Sequence, residues 1–220
     1  MKSFIASIGI CSAIVAGSFI FSNCSTKNGE QLQINTITEV TETNGVIDAI
    51  MSRRSIRKYK DMPVEREKLQ QIVECGMNAP SGMNKQPWQI RVIDSPEYID
   101  GISEIFVKQN PNTANQEDFK NMFRNAPAVI FIASPIDGSG QLDCGLLGEN
   151  IILAAQSLGL GTCCLGGPIA FMKNSEEALP YLKRLDIPTD YSLLYAIAVG
   201  YPDESPEAKP RDMNKAKFID

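Results

Sequence analysis

The chain has 220 residues, with 21 basic and 26 acidic side chains, a formal net charge of −5 and no histidine. An acidic chain without a separate basic arm argues against nucleic acid as the main partner. Histidine is absent and the six cysteines follow no zinc-binding spacing, so metal catalysis and histidine-based nucleophilic catalysis are poorly supported.

Residues 1–23 predict a secretory signal peptide of the lipoprotein type. A positively charged start is followed by an uncharged apolar run from Phe4 to Phe21 and then by small polar residues. Cys24, at the end of this run, resembles the lipidation site of a bacterial lipoprotein, so we expect an exported protein anchored in a bacterial cell envelope. The alternatives are an uncleaved anchor, because the run is nearly long enough to span a bilayer, and a cytoplasmic protein if the segment is not an export signal.

Residues 24–44 are polar and predict a tether, which leaves residues 45–220 as one domain with an ample core. Hydrophobic periodicity then predicts the following elements in chain order: helices at 46–54 and 64–78, a strand at 88–93, helices at 98–108 and 119–124, a strand at 128–133, a helix at 142–158, a strand and a Gly-Gly turn within 159–168, a helix at 175–184 and a strand at 192–200. The continuous apolar run at 128–133 indicates a fully buried strand. The helix at 142–158 is apolar nearly all round, so we expect it to be central or to lie in a subunit interface.

A basic segment, Arg53–Lys58, follows the first predicted helix. We expect Arg53, Arg54 and Ser55 at the end of that helix and Arg57 just past it, where cations are favourable. Guanidinium groups present forked donors that match phosphate oxygens, and a serine adds a hydroxyl donor. The segment therefore indicates either a solvated helix end or an anion-binding site.

Three distant segments share this chemical theme. Ser81, Asn84 and Gln86, in a proline-braced loop, suit the polar edge of a flat heterocycle. Gly166 and Gly167 allow backbone amides to approach a ring closely. Lys209 and Arg211 suit a phosphate. A phosphate monoester carries roughly −1.5 to −2 charges at neutral pH, so several cations on one phosphate are reasonable. Ordinary turn chemistry and ordinary tail charge are the alternatives for these segments.

Four motifs in register resemble the nitroreductase family of FMN enzymes over about residues 46–216. They are Arg-Arg-Ser-Ile-Arg at 53–57, Ala-Pro-Ser-Gly-Met-Asn-Lys-Gln-Pro-Trp at 79–88, Leu-Gly-Leu-Gly-Thr-Cys-Cys-Leu-Gly-Gly at 158–167, and Gly-Tyr-Pro at 200–202 with a later Lys-Pro-Arg. The resemblance implies an α+β fold with a central mixed, mainly antiparallel sheet flanked by helices. It also implies an intertwined homodimer with FMN at the subunit interface.

The resemblance also implies which residues bind FMN. Carried over by position, they are Arg53, Arg54, Ser55 and Arg57 for the phosphate and ribityl chain, Lys209 and Arg211 to complete the phosphate site, Pro80, Ser81, Gly82 and Asn84 from the other subunit, and Cys164, Leu165, Gly166 and Gly167 along the isoalloxazine. A backbone amide of the last group would lie near the hydride-accepting nitrogen. No side-chain acid or base is implied, because the flavin carries the chemistry.

The implied activity is transfer of hydride from NADH or NADPH to FMN and then of electrons to a nitroaromatic, quinone or similar acceptor, by a ping-pong mechanism. One alternative is an exported FMN-binding electron carrier without NAD(P)H turnover. Another is a specialised flavin enzyme of the same fold, dehalogenase-like or flavin-consuming. We expect residues 98–125 to form the substrate-side lid, and a membrane contact only through an N-terminal lipid or anchor.

Cysteines complete the sequence expectations. Cys75, Cys144 and Cys163 lie in apolar contexts that predict buried thiols without a structural disulfide. The Cys163–Cys164 pair departs from the family pattern, in which an aromatic residue often follows the first cysteine, and the sequence offers no account of it.

Overall fold

The computed structural model describes residues 44–115 and 118–219. The predicted signal peptide, Cys24 and all of the predicted tether except Asn44 lie outside the described residues and stay predictions. No helix within the described ranges is long and apolar enough to cross a membrane.

The described residues form six α-helices and four β-strands, joined by short 3₁₀ turns. The helices are α1 (Gly45–Ser52), α2 (Arg66–Met77), α3 (Pro96–Gln109), α4 (Gln141–Ser157), α5 (Gly167–Asn174) and α6 (Leu179–Arg184). The strands are β1 (Gln89–Ile93), β2 (Ala128–Pro135), β3 (Gly161–Leu165) and β4 (Tyr191–Gly200), in the order β1-β2-β4-β3 with every neighbouring pair antiparallel. The predicted α+β architecture with a mainly antiparallel sheet is confirmed.

The sheet is buried on both faces, and β2 and β4 form its centre. Successive side chains of a strand point to opposite faces, so Ile130 and Ile132 of β2 join one hydrophobic cluster while Val129 and Phe131 join another. Helices cover the two faces with the following buried side chains: Leu69, Ile72, Leu147 and Ile151 from α2 and α4, and Ile99, Ile102, Ile169 and Met172 from α3 and α5. The prediction of a fully buried strand at 128–133 is confirmed, since each of its residues is 0% exposed.

Helix α4 packs against α1, α2 and three strands, so it is central as predicted. Its approach to β4 depends on Gly148, because a Cβ there would lie 1.9 Å from the Tyr195 hydroxyl oxygen. That hydroxyl donates to the Cys144 carbonyl oxygen at 2.7 Å, which ties strand and helix together. The opposite side of α4 exposes Leu142 and Leu146.

The predicted helix at 119–124 is wrong, because this segment is a turn. The Asn125 side-chain oxygen accepts from the backbone N–H groups of Lys120 (2.8 Å) and Asn121 (3.0 Å), which offers these donors a partner other than a helical carbonyl. Arg124 and Asn125 both adopt left-handed backbone angles, with φ of 62° and 63°, and a helix cannot continue through them.

Helix α5 was not predicted: Gly166 and Gly167, expected to form a plain turn, are its N-cap and first residue. Pro168 fits this position, because proline has a helical φ and the first turn needs no N–H from it. The predicted helix at 175–184 is divided into a 3₁₀ turn (Glu176–Ala178) and α6.

Two smaller expectations are also corrected. Helix α1 ends at Ser52 with Arg53 as its C-cap, so Arg54 and Ser55 lie beyond it. Cys75 is exposed rather than buried, because the residues of α2 that face the core are Leu69, Ile72 and Gly76. The described thiols of Cys75, Cys144, Cys163 and Cys164 are free, and those of Cys144 and Cys163 are buried.

Candidate functional site

Backbone pairing holds the basic segment beside β3. Ser55 forms a parallel bridge with Thr162, and the chain continues to an antiparallel bridge between Tyr59 and Pro202, which follows β4. Arg57 lies between these two bridges, so the ends of two strands set its position.

The chain that leaves β4 fastens the same segment from its other side. The Glu204 carboxylate accepts from the backbone N–H groups of Arg57 and of Lys58, the latter at 3.2 Å. The Asp203 N–H in turn donates to the Lys58 carbonyl oxygen at 2.9 Å. Hydrogen bonds to a charged carboxylate are stronger than neutral ones, so Glu204 orders the backbone from which the Arg57 side chain extends.

The three arginines of the segment diverge within one chain. The half-buried Arg53 side chain lies with its Nε 3.5 Å from the Glu149 carboxylate of α4. The Arg54 guanidinium folds back on the end of α1, where Nη1 donates to the carbonyl oxygens of Met51 (2.8 Å) and Arg53 (2.7 Å). The exposed Arg57 donates from Nη1 to the Ser55 carbonyl oxygen at 3.0 Å and lines the cavity described next.

A cavity of about 590 Å³ opens beside β3 and the start of α5. Its wall unites Arg57 with Cys164, Leu165, Gly166 and Gly167, two of the predicted FMN-binding segments. The remaining wall residues come from the basic segment, α3 and the 3₁₀ turn after it, the segment before β2, β3 and α5: Lys58, Phe106, Thr113, Asp118, Phe119, Asn121, Met122, Arg124, Asn125, Cys163 and Pro168. A volume of several hundred Å³ with apolar walls and a few convergent polar groups is typical of a small-molecule or cofactor site.

The two glycines leave the start of α5 open to this cavity. A Cβ on Gly166 or on Gly167 would meet no protein atom within 4 Å, and no side chain caps the helix. The first N–H groups of a helix have no intrahelical partner and carry partial positive charge. The cavity can therefore accept a flat ring whose electron-rich edge faces these amides.

Positive charge dominates the polar part of the wall. The guanidinium groups of Arg57 and Arg124 both act on the buried Cys163 thiol: burial raises the pKa of Cys163, and the two cations oppose that effect. Among the described residues, neither arginine nor Lys58 forms an ion pair. One carboxylate, Asp118, also lies on the wall. The arrangement favours an anionic occupant.

The proline-braced loop does not reach this cavity within one chain. Pro80, Gly82 and Asn84 are exposed, and Asn84 has a left-handed φ of 54°. The Ser81 hydroxyl accepts from the Gln86 N–H at 3.0 Å, so it is occupied with turn chemistry. The expectation that this loop lines the flavin of the other subunit stays a prediction.

The tail cations likewise stay apart from Arg57 in a single chain. Lys209 and Arg211 are exposed, and the Arg211 guanidinium donates to the Lys209 carbonyl oxygen at 2.9 Å. Neither side chain lines the 590 Å³ cavity. Their predicted role at the phosphate also stays a prediction.

The family model for the nitroreductase family matches residues 50–201, which span the cavity, the sheet and the basic segment. The chain belongs to the nitroreductase family. This confirms the family and the fold that the four sequence motifs predicted.

Relatives of this nitroreductase-family chain include flavin enzymes. It is 30% identical over 181 residues to an NADPH-flavin oxidoreductase from Vibrio harveyi, a match that covers 76% of this chain and 70% of the relative. An FMN-dependent nitroreductase structure from Clostridium difficile R20291 is 31% identical with a TM-score of 0.66, covering 80% of this chain and 99% of that one. A nitroreductase structure with bound FMN from Desulfitobacterium hafniense DCB-2 is 26% identical with a TM-score of 0.71, covering 81% and 100%.

Sequence reasoning named 98–125 as a lid in this nitroreductase-family chain but assigned none of its residues to the site. The structure places Asp118, Asn121 and Arg124 on the cavity wall. The available signal was the pair of asparagines at 121 and 125, because asparagine favours turns in which its side chain bonds nearby backbone groups.

Proposed function

We propose that this protein is an FMN-dependent oxidoreductase that takes hydride from NADH or NADPH and reduces a nitroaromatic, quinone or similar small acceptor. The family and the flavin-dependent relatives support this assignment. One observation of the chain itself carries it: Arg57 and the open start of α5 share a single cavity of about 590 Å³.

The residues of this cavity fit FMN. When bound, FMN supplies the two-electron chemistry, accepting hydride and passing electrons to a second substrate in the same place. Gly166 and Gly167 let the backbone approach a planar ring, because no side chain stands between them and the open space. The amides at the start of α5 stabilise negative charge at the ring edge.

The rest of the FMN is assigned to the basic segment and to the tail cations. The proposed phosphate and ribityl ligands are Arg53, Arg54, Ser55, Arg57, Lys209 and Arg211. Their forked and rotatable donors suit a phosphate monoester. No side-chain acid or base is required, since the chain's contribution is to position two substrates in turn against one ring.

We propose further that the protein is a homodimer that buries α1 and one side of α4. Helix α1 packs on α4, and the pair exposes large apolar side chains: Val46, Ile47, Ile50, Met51, Leu142 and Leu146. Large exposed apolar patches mark interaction sites. A second chain is also what would bring the loop containing Ser81 and Asn84 to the flavin.

Sedimentation of Leu146→Glu tests the dimer. A charge at this exposed position should give a folded monomer that loses FMN. Ile136→Glu is the matched control, because Ile136 is also exposed (66%) but lies outside α1 and α4. A Leu146→Glu protein that stays dimeric would contradict this interface.

We also propose that the protein is exported and anchored through a lipid on Cys24, on the basis of the composition of residues 1–24. The supporting pattern is the positive start, the apolar run and Cys24. Labelling cells with a fatty-acid analogue tests it: the wild type should be labelled and Cys24→Ser should not. Equal labelling of the two proteins would contradict lipidation at this residue.

Anaerobic stopped-flow mixing tests the enzymatic function. The full chain, loaded with FMN, should lose its visible flavin absorbance on mixing with NADH or NADPH and regain it on addition of a quinone or nitroaromatic. Arg57→Gln should weaken FMN binding, whereas Arg66→Gln, which removes a cation paired with Asp94 outside the cavity, should not. Bound flavin that neither donor reduces would instead favour the electron-carrier alternative.

A further inference from the structure

Side-chain hydrogen bonds lock the turn formed by residues 118–126. The Asn125 side chain accepts from the backbone N–H groups of Lys120 and Asn121. Its amide nitrogen also donates to the carbonyl oxygen of Asp118, the first residue of the turn, at 2.5 Å. The Asn121 side chain donates to the Ala126 carbonyl oxygen at 3.2 Å. The conformation of this turn is therefore specified from both ends.

The locked turn holds Arg124 in an unfavourable backbone conformation. Its φ of 62° lies in the left-handed region, which side chains with a Cβ rarely adopt. Strain of this kind persists where the surrounding structure over-determines it, and it occurs preferentially at functional sites. The consequence here is that Arg124, although exposed, lies on the cavity wall.

Arg57, from the basic segment before α2, lies on the same cavity wall. Both arginines line the cavity that opens beside β3. Neither forms an ion pair among the described residues. The wall carries three cations, Arg57, Lys58 and Arg124, against one carboxylate, Asp118, so its charge favours an occupant that is or becomes negative.

The cavity that they share also contains the glycine start of α5, where the proposed function places the flavin ring. Acceptance of hydride from NAD(P)H adds two electrons and one proton to the ring, which gains one negative charge. Charge close to the ring tunes the electronics of a bound flavin. A fixed cation on this wall therefore binds the reduced ring more tightly than the oxidised ring.

We propose that Arg124 raises the reduction potential of the bound FMN by stabilising the negative charge of its reduced ring. The proposal rests on the proposed function and adds to it a residue that the four sequence motifs do not contain. In this role Arg124 favours flavin reduction by NAD(P)H and lowers the driving force for the second half-reaction. The turn at 118–126 then holds the Arg124 backbone so that its guanidinium group lies on the cavity wall.

The test is a redox titration of the full chain loaded with FMN. Arg124→Gln should bind reduced FMN about tenfold more weakly relative to oxidised FMN, which lowers the potential by about 30 mV for a two-electron couple. Arg124→Lys, which keeps a cation, should restore most of the difference. Lys120→Gln is the matched control: it removes a cation from the same turn, but Lys120 pairs with Asp61 at 2.9 Å and lies off this wall.

A second variant separates charge from folding. Arg124→Gly removes the guanidinium and also relieves the left-handed backbone, which glycine adopts readily. It should show the same fall in potential as Arg124→Gln with a melting temperature no lower than that of the wild type. A purely structural role of Arg124 would not produce this combination.

Three results would overturn the proposal. One is an unchanged potential in Arg124→Gln and Arg124→Gly, and another is an equal fall in Lys120→Gln. The third is an unchanged potential with a raised KM for NADPH but not for NADH, which would assign the guanidinium to the 2′-phosphate of the donor. Failure of the wild type to bind FMN would overturn the proposed function itself. If NAD(P)H reduces the FMN of the wild type normally and any of the three results is found, this inference alone is overturned.

Discussion

A methyl group on Gly167 should stabilise the folded chain and weaken FMN binding at the same time. Gly167 is the first residue of α5, and an added Cβ meets no protein atom within 4 Å. Replacing glycine by alanine where the backbone permits it stabilises a protein by about 0.4–1 kcal/mol. For a domain of this size the melting temperature of flavin-free Gly167→Ala should therefore rise by about 1–4 °C.

The loss of affinity follows from the same geometry. If the ring occupies the open space beside Gly167, the new methyl overpacks the contact, which costs about 1–3 kcal/mol. This corresponds to FMN binding that is about 5- to 150-fold weaker, measured by titration of flavin fluorescence. The opposite signs of the two effects exclude a general loss of structure as the cause.

Gly45→Ala is the matched control for both measurements. Gly45 is also the first residue of a helix, and a Cβ there also meets nothing within 4 Å, but it does not line the cavity. It should show the gain in stability with unchanged FMN affinity. Gly167→Ala protein that binds FMN as tightly as the wild type would refute the placement of the ring at the start of α5.

Two further predictions concern the described cysteines. Cys164 and Cys75 are both exposed, but of these two only Cys164 lies on the cavity wall. Saturating FMN should therefore slow the alkylation of Cys164 and leave Cys75 reactive, as measured by peptide mapping. Equal protection of the two thiols, or no protection, would contradict the site. Burial, with Asp143 as a lesser cause, raises the pKa of Cys144 from 9.0 to about 11. The stabilisation gained by keeping this thiol protonated is therefore complete below pH 9.0 and is lost as the pH rises through about 11. Urea unfolding at about pH 8 and pH 11 should then show a decrease in the free energy of unfolding that is about 2 kcal/mol smaller in Cys144→Ala than in the wild type.

The sequence determined the parts of this fold whose patterns are local and repetitive. The apolar run at 128–133 specified a buried strand, and the helical periodicity at 64–78 and 142–158 specified the helices that cover one face of the sheet. Register among four motifs, rather than any one of them, identified the family. Such features depend on neighbouring residues, so hydrophobic spacing is enough to recover them.

Turns were predicted less well, because their conformations depend on individual hydrogen bonds. The segment 119–124 has enough apolar residues to suggest a helix, but the side chain of Asn125 binds its backbone amides in another arrangement. Gly166 and Gly167 suggested a turn, yet Pro168 and the packing of Ile169 on the sheet make them the start of a helix. In the first case a local side-chain hydrogen bond competes with the helix, and in the second the packing against the sheet outweighs local propensity.

Only the tertiary structure decided which charges share a site. From sequence alone Arg53, Arg54 and Arg57 formed one group, but pairing with β3 and with the chain after β4 separates them and leaves Arg57 on the cavity. The same packing brings Arg124 to the wall of this cavity from 67 positions away, which no local pattern indicates. Electrostatic interaction depends on distance in space, and sequence spacing fixes that distance only within a single helix or strand.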